Sequence, residues 1–307
     1  MDTIIYGFRP FYTGGQPVID DLKNSGFTTV IQASVFVLPE GDLVFHGHDL
    51  CDTIIKDGQY KGRSEWPGLL YDLKKSPTSV NRLLFTLASG DGEFHGTYRN
   101  IKSLIKKQGT GKNSILYKNF KALKDAIPAI DGIDLDYEGE ENGIYYRTPI
   151  IKFSPMLHTL GYEVTFCPFQ KPCFWVDCLH TLNSETPGLV TRFHVQCYTG
   201  CYPQPKTWIK HIQKKMGSCF DAQGFVFPGI CCRHGDYCKN GLCPEGISTK
   251  FAAWKEDGIQ GGFIWLYDNI QRCNAYNQHQ KRKHQTPLCS GSMDTQTYAQ
   301  AILKGLK

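Results

Sequence analysis

Apolar residues recur along this chain in two rhythms. Short apolar or alternating runs occupy residues 3–8, 28–37, 82–89, 132–138, 163–168, 192–198, 224–230 and 261–268, and each reads as a β-strand. Between many of them the spacing shifts to the three-and-four of an amphipathic helix, as at 94–107 and 114–126. Strand–helix alternation of this kind predicts a parallel α/β architecture, and eight units argue for closure into a (β/α)8 TIM barrel. One interval breaks the rhythm. Between residues 38 and 81 the chain carries Gly41-Asp42-Leu43-Val44-Phe45-His46 and then Gly58-Gln59-Tyr60. This predicts a β-hairpin insertion after the second strand, over about 38–64, with a helix at 66–74 behind it. The Gln/His/Lys/Arg-rich stretch 278–285 reads as a solvated loop ahead of a C-terminal helix at 295–304. With no internal repeat, low-complexity tract or linker, residues 1–307 read as a single domain.

Composition narrows the class. A chain of 307 residues that is 41% apolar can bury one large core and falls in the size range of a single α/β barrel. The net charge of +5 is mild and the basic residues are scattered apart from 281–283, which argues against a nucleic-acid footprint. No run approaches the ~20 apolar residues that span a bilayer, and no signal peptide precedes the first strand. Of 13 cysteines, Cys51 stands alone and the rest lie between Cys167 and Cys289. That density points to an oxidising compartment and hence to a secreted or lumenal protein, with an intracellular protein carrying free thiols as the alternative that the odd count leaves open. A zinc site from Cys231, Cys232, Cys238, Cys243 and His234 competes with a disulfide-stapled loop at 231–243 after the seventh strand. The adjacent Cys231-Cys232 and the lack of any Cys-x-x-Cys pair favour the loop, so no metal is expected. Nothing calls for a nucleotide or other cofactor, and a monomer is expected.

The candidate chemistry sits in Asp131-Gly132-Ile133-Asp134-Leu135-Asp136-Tyr137-Glu138. Strand side chains alternate faces, so Asp134, Asp136 and Glu138 share one face, spaced about 6.6 Å apart, while Ile133, Leu135 and Tyr137 line the other. A row of like charges opposite a core is costly unless a proton is shared or the acids are hydrogen-bonded. A fold that needed only a strand here would not choose this pattern. Glu138 ends the fourth strand, at the barrel end where active sites form. The sixth strand ends Val195-Gln196-Cys197-Tyr198, with Gln196 and Tyr198 on one face and Cys197 turned toward the helices as a buried thiol. The eighth carries Gly261-Gly262-Phe263-Ile264-Trp265, and the first reaches Tyr6.

The spacing of residues 131–138 resembles the Asp-x-x-Asp-x-Asp-x-Glu signature of glycoside hydrolase family 18, with every position of the signature present. Val195-Gln196-Cys197-Tyr198 resembles the hevamine-type branch, and Gly261 to Trp265 is similar to the family's Gly-Gly-x-x-x-Trp. The resemblance implies Glu138 as general acid, Asp136 orienting the substrate acetamido group, Asp134 tuning the pair, and Tyr198 bonding the acetamido group. Trp265 as the sugar floor, with Gln196, Tyr6, Asp131, Ser89 and Asp91, would complete a substrate-binding set. The run Ala88-Ser89-Gly90-Asp91-Gly92 departs from the family's Ser-x-Gly-Gly, and Thr199 stands where plant enzymes often have Asn. A bridge from Cys201 to Cys173 or Cys178 is also implied.

Family 18 is an exception among retaining glycosidases in that the substrate's own N-acetyl oxygen attacks the anomeric carbon. The implied partner is therefore an N-acetylglucosamine-containing polysaccharide or glycan: chitin first, the N-glycan core second, peptidoglycan third. A non-hydrolytic, chitinase-like lectin is the alternative of another class, and an intact Glu138 weighs against it.

Overall fold

The computed structural model describes residues 1–47, 50–88, 96–138, 144–199 and 203–307. Among the described residues eleven strands form one sheet: β1 (Asp2–Gly7), β2 (Thr29–Val37), β3 (Leu43–Gly47), β4 (Leu50–Lys56), β5 (Gln59–Tyr60), β6 (Arg82–Ala88), β7 (Gly132–Asp136), β8 (Glu163–Phe166), β9 (Val190–Gln196), β10 (Val226–Cys231) and β11 (Gly261–Trp265). Eight of them, β1, β2 and β6 to β11, run parallel in chain order, and β1 pairs with both β2 and β11, so the sheet closes. Helices lie between successive barrel strands, as the sequence predicts of a (β/α)8 barrel.

Strand alternation builds two apolar layers. Ile5, Val30, Leu83, Ile133, Leu135 and Val164 point outward into the large layer shared with the helices. Ile4, Tyr6, Ile31, Leu84, Phe227 and Phe263 fill the barrel interior. The interior is tight enough to require a glycine: a Cβ on Gly229 would lie 1.9 Å from the Phe263 ring. The N-terminal mouth is closed by charge. Arg192 bonds Asp2 at 2.5 Å, and Arg82 reaches Glu163 at 3.1 Å.

The insertion after β2 is a three-stranded antiparallel extension, with β3 paired to the end of β2, β4 to β3, and β5 to β4. The short β5 follows a two-residue Asp57-Gly58 turn with positive φ at both positions (49° and 73°), the conformation a tight hairpin demands. Residues 278–282 differ from expectation. They are the last turns of the helix Tyr267–Arg282, whose inward residues Ile270, Cys273 and Asn277 keep helical spacing beneath a polar, solvated surface.

The loop at 231–243 is stapled, though outward and not to itself. Cys238 bonds Cys273 on the helix Tyr267–Arg282, and Cys243 bonds Cys289 beyond it. Those two sulfurs are thereby withdrawn from any metal. The brace expected from Cys201 differs: Cys201 lies outside the described residues, while Cys173 and Cys178 are free thiols, one exposed and one buried. Cys173 opens a helix on its exposed face, and Cys178 is sealed in the layer between that helix and the barrel. Among the described residues no helix is long and apolar enough to cross a membrane.

Candidate active site

The acids of β7 are stacked by strand alternation at the C-terminal mouth of the barrel. Asp134 is fully buried. Its Oδ1 accepts from Thr165 Oγ1 at 2.5 Å and lies 2.9 Å from His194 Nδ1. Its Oδ2 accepts from the Tyr6 hydroxyl at 2.8 Å and faces Thr86 Oγ1 at 3.5 Å. Donors from β1, β6, β8 and β9 therefore converge on one carboxylate.

Asp136, the next inward residue, is half-buried at the cleft floor. Burial, then the Glu138 and Asp134 charges, push its carboxyl well above the usual range, and it hydrogen-bonds Glu138. Asp136 thus keeps its proton, directed at Glu138, at pH values where an isolated carboxyl would have lost it. The ladder of β7 ends at Asp136, but the alternation persists. Tyr137 turns outward against Tyr98 and Phe174, at ring-centroid distances of 5.0 and 6.0 Å, and Glu138 turns to the exposed side of the cleft.

Gln196, buried at the end of β9, donates from Nε2 toward Asp136 Oδ1 at 3.1 Å and Glu138 Oε1 at 2.7 Å. Two residues on, Tyr198 lies nearly parallel to Trp265, 6.4 Å between centroids and 21° between planes. Trp265 also packs on Tyr6 and on the edge of Phe8. The phenol of Tyr198 is raised well above its ordinary value by burial, then by Cys167, Cys231, Asp136 and Glu138, so it stays a neutral donor beside the acids. These aromatic faces form a wall suited to the apolar face of a pyranose.

The structure therefore brings together Asp134, Asp136, Glu138, Gln196, Tyr198, Trp265 and Tyr6. Tyr6 is 1% exposed and spends its hydroxyl on Asp134, so it props the acid from beneath and does not line the open cleft. Asp131 is not part of the cluster. It precedes β7 at the opposite barrel end, where Lys74 Nζ meets both its oxygens at 2.6 Å and Leu83 N bonds Oδ2 at 2.7 Å. The reason is parity and direction: three residues before Asp134 along a strand is the other face and nearly 10 Å further down, on the order of 3.3 Å per residue. Ser89 and Asp91 lie outside the described residues.

Sequence reasoning missed His194, Thr165, Thr86 and Cys167. His194 was readable in principle, since 194 and 196 share parity on one strand. Cys167 Sγ sits 3.6 Å from the Tyr6 hydroxyl and 3.7 Å from Gln196 Nε2. Burial, then the Asp136 and Asp134 charges, hold it far above the ordinary thiol value, so it is a protonated, inert wall. Cys197 is buried toward the helices, as expected of a residue between two cleft-facing neighbours. Beyond Tyr198 a groove of about 250 Å³ opens between Cys231, His234, Leu242 and Trp254, so the stapled loop forms a rim next to the cleft.

No family profile matches the chain, and no curated protein sequence matches it. Solved structures do. The catalytic domain of a family GH18 chitinase from the fern Peteris ryukyuensis superposes with TM-score 0.58 at 15% identity, covering 99% of this chain and 100% of that one. A GH18 chitinase from Pseudoalteromonas aurantia gives TM-score 0.63 at 12% identity over 92% and 99%. Active domain 2 of the thermostable chitinase from Pyrococcus furiosus, solved with chito-oligosaccharides, gives 0.63 at 10% over 99% and 94%. At these identities the likeness is one of fold, and it extends over essentially the whole chain.

Proposed function

We propose that this chain is a retaining glycoside hydrolase of chitinase type that cleaves β-1,4-linked N-acetylglucosamine glycans with help from the substrate's own acetamido group. One observation carries the reading: Gln196 Nε2 bridges Asp136 and Glu138 beside the Tyr198–Trp265 wall, and Asp136, raised well above the usual carboxyl range, directs its proton at Glu138. Glu138, on the open side, delivers that proton to the glycosidic oxygen as the C1–O bond breaks. The acetamido carbonyl oxygen closes on C1 to give an oxazolinium ion, while Asp136 holds the amide N–H and shares its positive charge. The leaving sugar departs with the proton. Water then gives a proton to Glu138, its oxygen bonds C1 from the face just vacated, and the oxazolinium ring opens with retained β-configuration. Asp134, buried with four donors around it, supplies a fixed negative charge below the cation.

The substrate must carry a 2-acetamido group at the cleaved sugar. A chitin oligomer fits first, an N-glycan chitobiose core second, and peptidoglycan third. The test is product analysis, by mass spectrometry and by proton NMR of the fresh anomer, with wild type and Glu138→Gln on a chitin oligomer and a chitobiose-core glycopeptide. Wild type should release β-anomeric fragments, and Glu138→Gln should lose at least about 10²-fold in kcat. Release of α-anomers would overturn the substrate-assisted scheme, and binding without cleavage would make the protein a lectin.

A further inference from the structure

The chain between β10 and the helix Pro244–Lys255 contributes nothing to the acid row, yet it is held firmly beside the cleft. His234 and Asn240 exchange backbone hydrogen bonds at 2.9 and 3.1 Å, and two disulfides tie the segment to Cys273 and Cys289. Gly241 lies at φ 72°, where a Cβ would meet the Cys232 carbonyl oxygen at 2.0 Å, so only glycine fits the turn. The groove roofed by this segment has an aromatic back and a cationic wall. Lys250 Nζ lies 5.4 Å from the centre of the Trp254 ring. Among the described residues no carboxylate pairs with it. Glu245, the one acid of the same helix, faces the Thr295–Leu306 helix and accepts from Ser290 Oγ at 2.9 Å. The Lys250 charge reaches the groove floor: burial raises the Cys197 thiol, and Lys250 acts against that rise. His234 and Cys231 flank it as neutral groups, His234 lowered by burial and then by the Arg272 charge, Cys231 raised to about 12 by burial.

We propose that this groove is a binding site for a carboxylate carried on the glycan strand, so that the cleft extends past Tyr198 to an acid-bearing sugar. The inference rests on the glycosidase reading for the strand and on the groove itself for the acid. Charge sets the sign, because a half-buried ammonium with no acid of its own gains most from an anionic partner. Size sets the source. At about 250 Å³ the groove is smaller than the ~300–1,000 Å³ of pockets that enclose a whole small molecule, so it takes a side group of a larger chain. Continuity identifies that chain. Tyr198 lines the groove and also forms the aromatic wall with Trp265, and Cys231 is paired in register with Trp265. A strand stacked on that wall therefore brings a neighbouring sugar to the mouth of the groove. Of the three glycans named above only peptidoglycan bears such a carboxylate, on the lactyl ether of alternate sugars. A chitin oligomer uses the same wall and leaves Lys250 to water.

The test uses Glu138→Gln protein, which leaves strands uncut, and two tetrasaccharides that differ only in their lactyl groups: a chitin tetramer and the peptide-free peptidoglycan tetramer. Dissociation constants from calorimetry at low salt should favour the lactyl-bearing strand by about 10-fold, the size of one charge-assisted hydrogen bond at a half-exposed site. That preference should shrink at about 1 M salt. Adding Lys250→Gln, which keeps a side chain over Trp254, should bring the two strands within about 2-fold of each other, with the chitin tetramer unchanged to within about 2-fold. Adding Lys250→Arg should retain the preference. Equal affinity for the two strands, a preference that survives Lys250→Gln, an equal loss for both strands in that variant, or no binding of either by the folded protein would overturn the site. Cleavage by wild type is read separately. Preference for the lactyl-bearing strand beside a wild type that cuts neither would leave the site standing and remove the glycosidase reading. Equal affinities beside a wild type that cuts the chitin tetramer would do the reverse.

Discussion

Gln196 shows how much of the chemistry hangs on single atoms. Its Nε2 lies within hydrogen-bond distance of both carboxyls of the working pair, and its hydrogen bond opposes the burial and neighbouring charge that raise Asp136. Gln196→Leu should therefore cut kcat on a chitin oligomer by about 10- to 100-fold. It should also move the alkaline limb of the pH profile upward, because the pair loses its proton only at higher pH once that donor is gone. A variant with reduced kcat and an unchanged limb would confine Gln196 to substrate contact. At this scale the acid row was readable from period-two alternation, and Gln196, Tyr198 and Trp265 from resemblance to a known pattern. Asp131 followed from the resemblance alone, whereas its odd spacing from Asp134 and its place at the start of the strand already set it on the other face, away from the cleft. His194 and Thr165 were missed because polar residues on a strand acquire meaning only when their neighbours across the barrel are known.

Among the elements, the three-stranded insertion, besides its pairing with β2, is held to the helical layer by Asn119. Asn119 sits on the helix Ile115–Ala126, which Ser114 caps by accepting from Tyr117 N. Fully buried, Asn119 donates to Gly41 O at 2.6 Å and accepts from Gly58 N at 2.6 Å, clamping the β2–β3 and β4–β5 turns. Asn119→Leu strands a buried carbonyl and a partly buried N–H together, so urea unfolding should show a loss of roughly 2 kcal/mol. A loss under about 0.5 kcal/mol would mean that water satisfies both groups. The existence of the insertion was legible from its Gly-bounded apolar runs. Its third strand was not, since two residues after a turn carry no periodicity, and neither was the helical continuation through residue 282, where polar composition masked three buried positions four and three apart.

For the whole molecule, closure matters at both barrel ends. The N-terminal mouth is held by Asp2, Arg82, Glu163 and Arg192, residues from β1, β6, β8 and β9. Burial raises the Asp2 carboxyl, but the hydrogen bond and charge of Arg192, with the charge of Arg82, outweigh it and hold the group below its ordinary value. A depressed carboxyl contributes stability above its unfolded value near 3.8, and that contribution fades as pH falls through the folded value. Asp2→Asn should therefore be less stable than wild type at pH 7, with the gap in Tm closing as the pH is taken below about 4. A gap that persists in acid would mean that shape, not charge, seals this end. Barrel closure itself was legible because eight apolar runs demanded it, whereas the partners in this collar come from far apart in the chain and could not be paired by inspection.

At the opposite end the rim of the cleft is braced by covalent bonds. The two bridges overlap in sequence, one spanning 238 to 273 and the other 243 to 289, so every peptide bond from Cys238 to Cys289 lies inside at least one of them. The strand bearing Trp265 lies inside both. A single backbone scission anywhere in that interval leaves one covalent molecule, and the aromatic wall of the cleft stays attached to the acids it faces.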